Sequence, residues 1–175
     1  PATWEVGSYP EGHDAFPVSG VSWYEAVAYA AWAGKSLPTI FHWNRVAFTV
    51  ASSRIIPLSN LAGSAAVPVG STKSMNRFGV SDLAGNVREW TWNASDRGQG
   101  RFILGGGFSD PDYAFADAYA QPPFDRSPTN GFRCIRYIEQ EPNLTELQRE
   151  IERPHRDFLA EKPAPDPGIV QFLRP

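Results

Sequence analysis

The first clear hydrophobic period in the chain is helical. Trp23, Ala26, Val27 and Ala30 follow Ser22 at spacings that line one face of a helix. Ser22 and Glu25 stand as a capping box, in which the hydroxyl accepts from the amide three residues on and the carboxylate reaches back to the cap N–H. Gly34, able to take positive φ, suits the C-terminal stop. A second helix is predicted from Thr39, just past Pro38, because Trp43, Val46, Ala47 and Val50 recur at i, i+3, i+4 and i+7. Ahead of both, Gly7, Pro10, Gly12, Pro17 and Gly20 make residues 1–20 a loop, with a short strand over Thr3–Val6. From Ala51 to Arg77 no period holds, and mostly coil is expected. Glu89–Asn93, Arg101–Leu104 and Gly131–Ile138 read as short strands, the last one following Asn130-Gly131, a pair that favours a tight turn. Beyond Tyr137 the pattern changes. Leu144, Leu147 and Ile151 share one face of a short helix ended by Pro154, and EKPAPDPG over 161–168 reads as a stiff linker. The predicted organisation is a domain over 1–138 and a linker or tail over 139–175 that leads to further sequence.

Composition narrows this. With 175 residues, 42% of them hydrophobic, the chain can bury one core, and 15 glycines with 16 prolines favour turns and irregular segments over long helices. The net charge of -3 comes from the tail: from Ile138 onward there are eight acids and five bases, against eleven of each before it. Nothing in this distribution suggests a phosphate-neutralising surface, so a nucleic-acid partner is not expected. One cysteine, Cys134, excludes an internal disulfide and a cysteine-rich zinc site, and His13, His42 and His155 lack ligand spacing. No run of 18 apolar residues occurs, so no membrane segment is expected in this stretch. The chain opens on Pro1 rather than Met and is expected to be a piece of a longer polypeptide. Its compartment stays open: a soluble domain, cytoplasmic or attached to a membrane protein whose span lies elsewhere.

Three stretches taken in order carry a resemblance: PVSGVSWYEAVAYAAWAGKSLPT (17–39), FGVSDLAGNVREWTWN (78–93) and LGGGF…SPTNGFRCIRY (104–137). Together they resemble the formylglycine-generating enzyme, or sulfatase-modifying factor, family. The resemblance implies an α+β, C-type-lectin-like fold, irregular, with two helices and short antiparallel strands. It also implies that an N-terminal part of the full domain lies outside this piece. The family commonly has acids soon after the Pro-Thr pair. Here Ile40, Phe41 and His42 follow Thr39, and His42 is expected to be partly buried or on the surface rather than a ligand.

The catalytic members hold copper(I) on two cysteines just after a Gly-Gly segment, a soft ion on soft ligands. Registering Gly105-Gly106 on that motif puts Asp110 and Phe115 at the two positions. Neither supplies a thiolate, and Cys134 lies in another segment, so no copper and no formylglycine-generating oxidase activity are expected. Iron-dependent sulfoxide synthases on this scaffold take their histidines from a separate domain, so the alternative is part of a metal-dependent oxidase or sulfoxide-synthase-type enzyme completed by sequence outside this piece. Asp110 and Asp112 are read as turn residues before a catalytic pair. The glycines are read as close strand packing before a phosphate cradle, since no lysine is near.

The resemblance also implies a calcium site. A side-chain oxygen, two backbone carbonyls and a glutamate would come from Asp82, Gly85, Val87 and Glu89, donors of the hard-oxygen kind calcium takes. The plainer alternative is that Glu89 pairs with Arg88 or Arg133 while Asp82 caps a turn. A second family calcium site, near Asn60, is expected to be lost because Leu61–Asn76 holds no acid. Ligand-binding candidates are Trp90, Trp92, Asp110, Asp112, Tyr113 and Phe115, taken as one aromatic and acidic surface. Asn93-Ala-Ser and Asn143-Leu-Thr match the glycosylation triplet. The expected function is a non-catalytic binding or regulatory module, a pseudoenzyme. Its partners would be an unidentified peptide or small molecule and other domains of the same chain. By resemblance, the parent would be a bacterial multidomain protein with a Ser/Thr kinase.

Overall fold

The computed structural model describes residues 1–49, 52–95, 98–139 and 141–152. Helix α1 spans Trp23–Trp32 and α2 spans Ile40–Ala47. In α1 the Ser22 hydroxyl accepts from Glu25 N, and the Glu25 carboxylate accepts from Ser22 N at 2.8 Å, so the predicted capping box is formed. In α2 the cap is Thr39, whose hydroxyl accepts from His42 N, and the His42 ring Nδ1 lies 2.6 Å from the same oxygen. His42 thus occupies the capping position where an acid would otherwise reach back.

The strands are β1 (Arg88–Ser95), β2 (Gly100–Leu104), β3 (Tyr119–Gln121) and β4 (Asn130–Phe132), in the sheet order β3-β2-β1-β4. β2 is antiparallel to both β1 and β3, whereas β4 runs parallel to β1. The sheet separates two cores. Along β2, Phe102 and Leu104 join Ile40, Trp43, Ala47, Leu83 and Phe115. Ile103 between them joins Val21, Trp23, Ala26, Leu37 and Trp90. Alternation along the strand thus sends α2 to one face and α1 to the other. The three buried indoles are each satisfied: Trp23 donates to Thr91 O, Trp90 to Val21 O and Trp43 to Glu89. A buried indole N–H without a partner costs about 1–3 kcal/mol, so these bonds fix ring orientation as well as depth.

Several expectations are corrected. Asn130-Gly131 is not a hairpin turn; both residues lie inside β4. A Cβ on Gly131 would come 2.7 Å from Val18 O, so the glycine admits close packing rather than a turn. β4 ends at Phe132, well short of Ile138; the chain then leaves β1, and Ile135 pairs with Ser36. β3 has no sequence signal beyond three residues. Thr3–Val6 is not a strand but ends in a tight bridge between Glu5 and Ser8. The stretch from Ala51 to Arg77, expected to be mostly coil, also contains a helical turn, α3 (Ser52–Ile55), and a 3-10 turn over Ile56–Leu58.

The tail also departs from its expected place. Among the described residues of the tail, one turn of helix forms, α4 (Leu144–Leu147). Ile151 then donates from N to Ala94 O, bridges Ser95 and packs against the α2-side core. Packing therefore continues past residue 138. Val50, Pro154 and the 161–168 linker lie outside the described residues.

Candidate functional site

The loop after β2 is shaped by close approach. Gly105 has φ 92°, and a Cβ there would meet Leu83 O at 2.7 Å and the Trp43 ring at 3.2 Å. The loop then turns back on Asp110, whose Oδ2 accepts from Gly107 N at 2.7 Å. The Arg88 guanidinium grips both carboxylate oxygens, Nε to Oδ2 and Nη2 to Oδ1, each at 2.6 Å. Burial pushes this carboxyl up, but the Arg88 bonds and the Gly107 N–H outweigh it and leave Asp110 below its ordinary value. Asp110 is thus an ionised strut between β1 and the glycine loop. Phe115, 2% exposed, points into the core, where its ring lies 6.0 Å from Trp43 and 5.2 Å from Phe48.

The expected aromatic and acidic surface is not assembled. Trp90 is fully buried and Phe115 nearly so, and the Asp110 carboxylate is engaged by Arg88. Trp92 is half-buried, its ring edge-on to Trp23. Only Asp112 and Tyr113 are exposed, in a 3-10 turn over Asp112–Phe115. Large apolar rings at the start of β1 and in that turn went to the core, the commoner fate of such rings.

The four residues of the expected calcium site are placed as follows. Asp82, at φ 57°, accepts from Gly70 N at 2.6 Å and from the Thr72 hydroxyl at 2.8 Å, and so holds the 70–74 loop. Glu89, 5% exposed at its side chain, accepts two bonds from Arg133 Nε, one from Arg133 Nη2 at 2.7 Å and one from Trp43 Nε1 at 2.8 Å. Arg133 also donates to Ser81 O, and the negative field of Glu89 holds its guanidinium more firmly protonated. Gly85 bridges Asn60, and a Cβ on it would sit 2.3 Å from Asn60 O. Asp82, Val87, Glu89 and Arg133 nevertheless border one small cavity of about 170 Å3, together with Asn86. The donor set fits calcium in part: Asp82 and Glu89 line one cavity, but Arg133 already supplies a positive charge to Glu89. Among the described residues no three His, Cys, Asp or Glu side chains are grouped to hold a metal.

Cys134 is half-buried, and burial, opposed in part by Lys35, pushes its thiol above the ordinary value. At neutral pH it is a protonated thiol, the poor nucleophile and ligand of a buried cysteine. Asn93 is fully buried. Its Oδ1 accepts from Ile40 N, and its Nδ2 donates to Leu147 O and Arg149 O, which leaves no free amide for a glycan.

A larger cavity, about 450 Å3, lies between the N-terminal loop and the glycine loop. Its walls include Trp4, Tyr9, His13, Phe16, Ala65 and Phe108, and among the described residues Asp14 is the only carboxylate on it. Trp4 meets Tyr9 edge-on, centroids 5.9 Å apart, and His13 stacks on Phe16 at 4.2 Å. Asn86 props the far wall: it clamps Val67 through N and O, and its own O accepts from Phe108 N. Sequence reasoning missed this site because an irregular loop has no period; its only signal was the density of aromatics in residues 4–16.

The sequence pattern of the Sulfatase-modifying factor enzyme 1-like domain matches residues 2–60 and 58–138. The serine/threonine-protein kinase pkn1 of Chlamydia caviae is 30% identical over 73% of this chain and 25% of its own length. The inactive C-alpha-formylglycine-generating enzyme 2 of Bos taurus is 31% identical over 68% of this chain and 50% of its own. A hercynine oxygenase of Mycolicibacterium smegmatis is 36% identical over 43% of this chain and 21% of its own. The chain thus spans a quarter to a half of the length of the first curated relatives it matches. In solved structures the fold is that of CarF (TM-score 0.62, 22% identity, 75% of this chain and 72% of that one). It is also that of Treponema denticola variable protein 1 (TM-score 0.61, 20% identity, 74% and 73%). The architecture is therefore α+β, of the C-type-lectin-like, formylglycine-generating-enzyme type. No helix among the described residues is long and apolar enough to cross a membrane.

Proposed function

Because the chain belongs to the family of Sulfatase-modifying factor enzyme 1-like domains, we propose that it is a non-catalytic binding or regulatory module of a larger multidomain protein. One observation carries this. The two positions at which the family resemblance places copper thiolates hold Asp110, tied to Arg88, and Phe115, packed in the core. The single thiol lies elsewhere and is kept protonated by burial. The ligand enters the cavity between the N-terminal loop and Phe108, where aromatic walls supply contact area and a few polar groups orient it. Similarity to the chlamydial kinase and to an inactive formylglycine-generating enzyme supports a module that works beside other domains.

The test uses the full-length protein. Supplied with copper(I), oxygen and a cysteine-bearing peptide, it is expected to leave the cysteine unconverted by mass spectrometry. A fragment screen read by NMR is expected to give shifts clustered on Trp4, Tyr9 and Phe108. Cysteine conversion, or stoichiometric iron or copper in the purified protein, would overturn the reading in favour of a metal-dependent oxygenase.

Calcium at Asp82, Gly85, Val87 and Glu89 is a second proposal, supported by the placing of Asp82, Val87 and Glu89 around one cavity. Calcium entering there shares Glu89 with a guanidinium, so binding is expected in the weak class, Kd about 10⁻⁴–10⁻³ M. Calorimetric titration into chelator-treated protein, with Asp82→Ala as control, reads this. No heat and no rise in Tm would reject it.

A further inference from the structure

From residue 26 to residue 81 the chain contains no aspartate or glutamate, yet it holds Lys35, Arg45, Arg54, Lys73 and Arg77. In a chain with 19 acids this is a strong segregation of charge. The fold brings two parts of that stretch to the walls of one groove of about 580 Å3. Phe41, Asn44 and Arg45 come from α2, Phe48 and Thr49 from the segment behind it, and Arg77 and Phe78 from the turn before Val80. That turn is pinned from beneath. Asn76, 7% exposed, donates to Val46 O at 2.9 Å and accepts from Phe78 N at 2.9 Å and Val80 N at 3.1 Å. Arg77 and Phe78 are therefore presented by a turn fastened to the C-terminal half of α2.

The groove is open to a partner. Phe41, Phe48 and Phe78 are 49%, 46% and 52% exposed. Among the described residues neither Arg45 nor Arg77 forms an ion pair. Arg45 lies in the last turn of α2, where a cation complements the helix dipole. That explains Arg45 alone. It does not explain Arg77, whose guanidinium stacks 4.7 Å from the Phe78 ring centroid, or three phenylalanines left half in water. The groove shares no lining residue with the cavity at the N-terminal loop.

We propose that this groove docks a short acidic peptide segment of a partner polypeptide, one that alternates carboxylates with aromatic or large aliphatic side chains. Each guanidinium takes a carboxylate in the forked geometry for which it is built, and the apolar side chains lie between Phe41, Phe48 and Phe78. Among the described residues no acid lines the groove, so a basic segment gains nothing there, and its concavity suits an extended chain better than a flat lipid surface.

A capped peptide of alternating glutamate and phenylalanine, titrated into the full chain, is the probe, with its glutamine and lysine counterparts as controls. NMR shifts on Phe41–Phe48 and Asn76–Gly79 are expected with the glutamate peptide only, weakening as salt rises. Arg45→Ala with Arg77→Ala is expected to weaken binding at least tenfold, and Lys at both positions to restore part of it. Both side chains are exposed, and an unchanged Tm shows that the variants fold. Equal binding of the glutamine peptide, shifts located elsewhere, or preferential binding to phosphatidylserine vesicles would overturn the proposal.

Discussion

At the scale of single residues, the most informative feature is the Arg88–Asp110 pair. Its side chains are only 19% and 12% exposed, and it joins the first residue of β1 to the loop after β2. Removing one partner of such a pair strands the other, so Asp110→Asn is expected to cost about 3 kcal/mol at pH 7, measured by urea unfolding. The pH dependence follows from the lowered carboxyl. A carboxyl with a lower pKa in the folded state stabilises above its unfolded value, and that stability fades as pH falls from there through the folded pKa. Wild type should therefore lose its margin over Asp110→Asn as acid is added below about pH 4. A variant that stays equally inferior down to pH 2 would contradict this. Asp110 stood out in the sequence only because the family resemblance places a cysteine at its position. Its partner did not, because Arg88 lies 22 positions away and no local pattern joins them.

At the scale of elements, α1 and α2 were legible because amphipathic spacing and caps are local signals, and both begin at their predicted residues. The junctions between elements were hidden. Asn93 reads as a glycosylation triplet but is a buried clip: it caps α2 at Ile40 and fastens the segment behind α4 to β1. Asn93→Ala leaves one donor and two acceptors to find water, at a cost of about 2–4 kcal/mol. Hydrogen exchange is expected to speed up first at Ile151, whose N–H pairs with Ala94 beside the clip. Uniform acceleration across the sheet would instead mean a purely global loss. The β4 strand escaped the turn rule for a related reason. Asn-Gly favours a hairpin only when nothing outside the pair decides, and here Gly131 is packed between Val18 and Val87.

At the scale of the whole molecule, the sheet carries α1 on one face and α2 on the other, and the C-terminal segment closes the end of β1. The family pattern stops at residue 138, but the packing does not. A chain ended after Ile138 is expected to melt roughly 5–10 °C below one ended after Glu152, since it loses Ile151 and both acceptors of Asn93. Equal melting temperatures would return the boundary to 138. The sequence by itself determined the family, both main helices and the presence of a single cysteine, because each of these is written in local spacing or in residue identity. Only the tertiary structure decided that Glu89 faces Arg133, that Trp90 and Phe115 are core, and that the N-terminal loop and the α2 groove form cavities. Those outcomes depend on which distant segments meet, and burial and charge pairing between them carry no period along the chain.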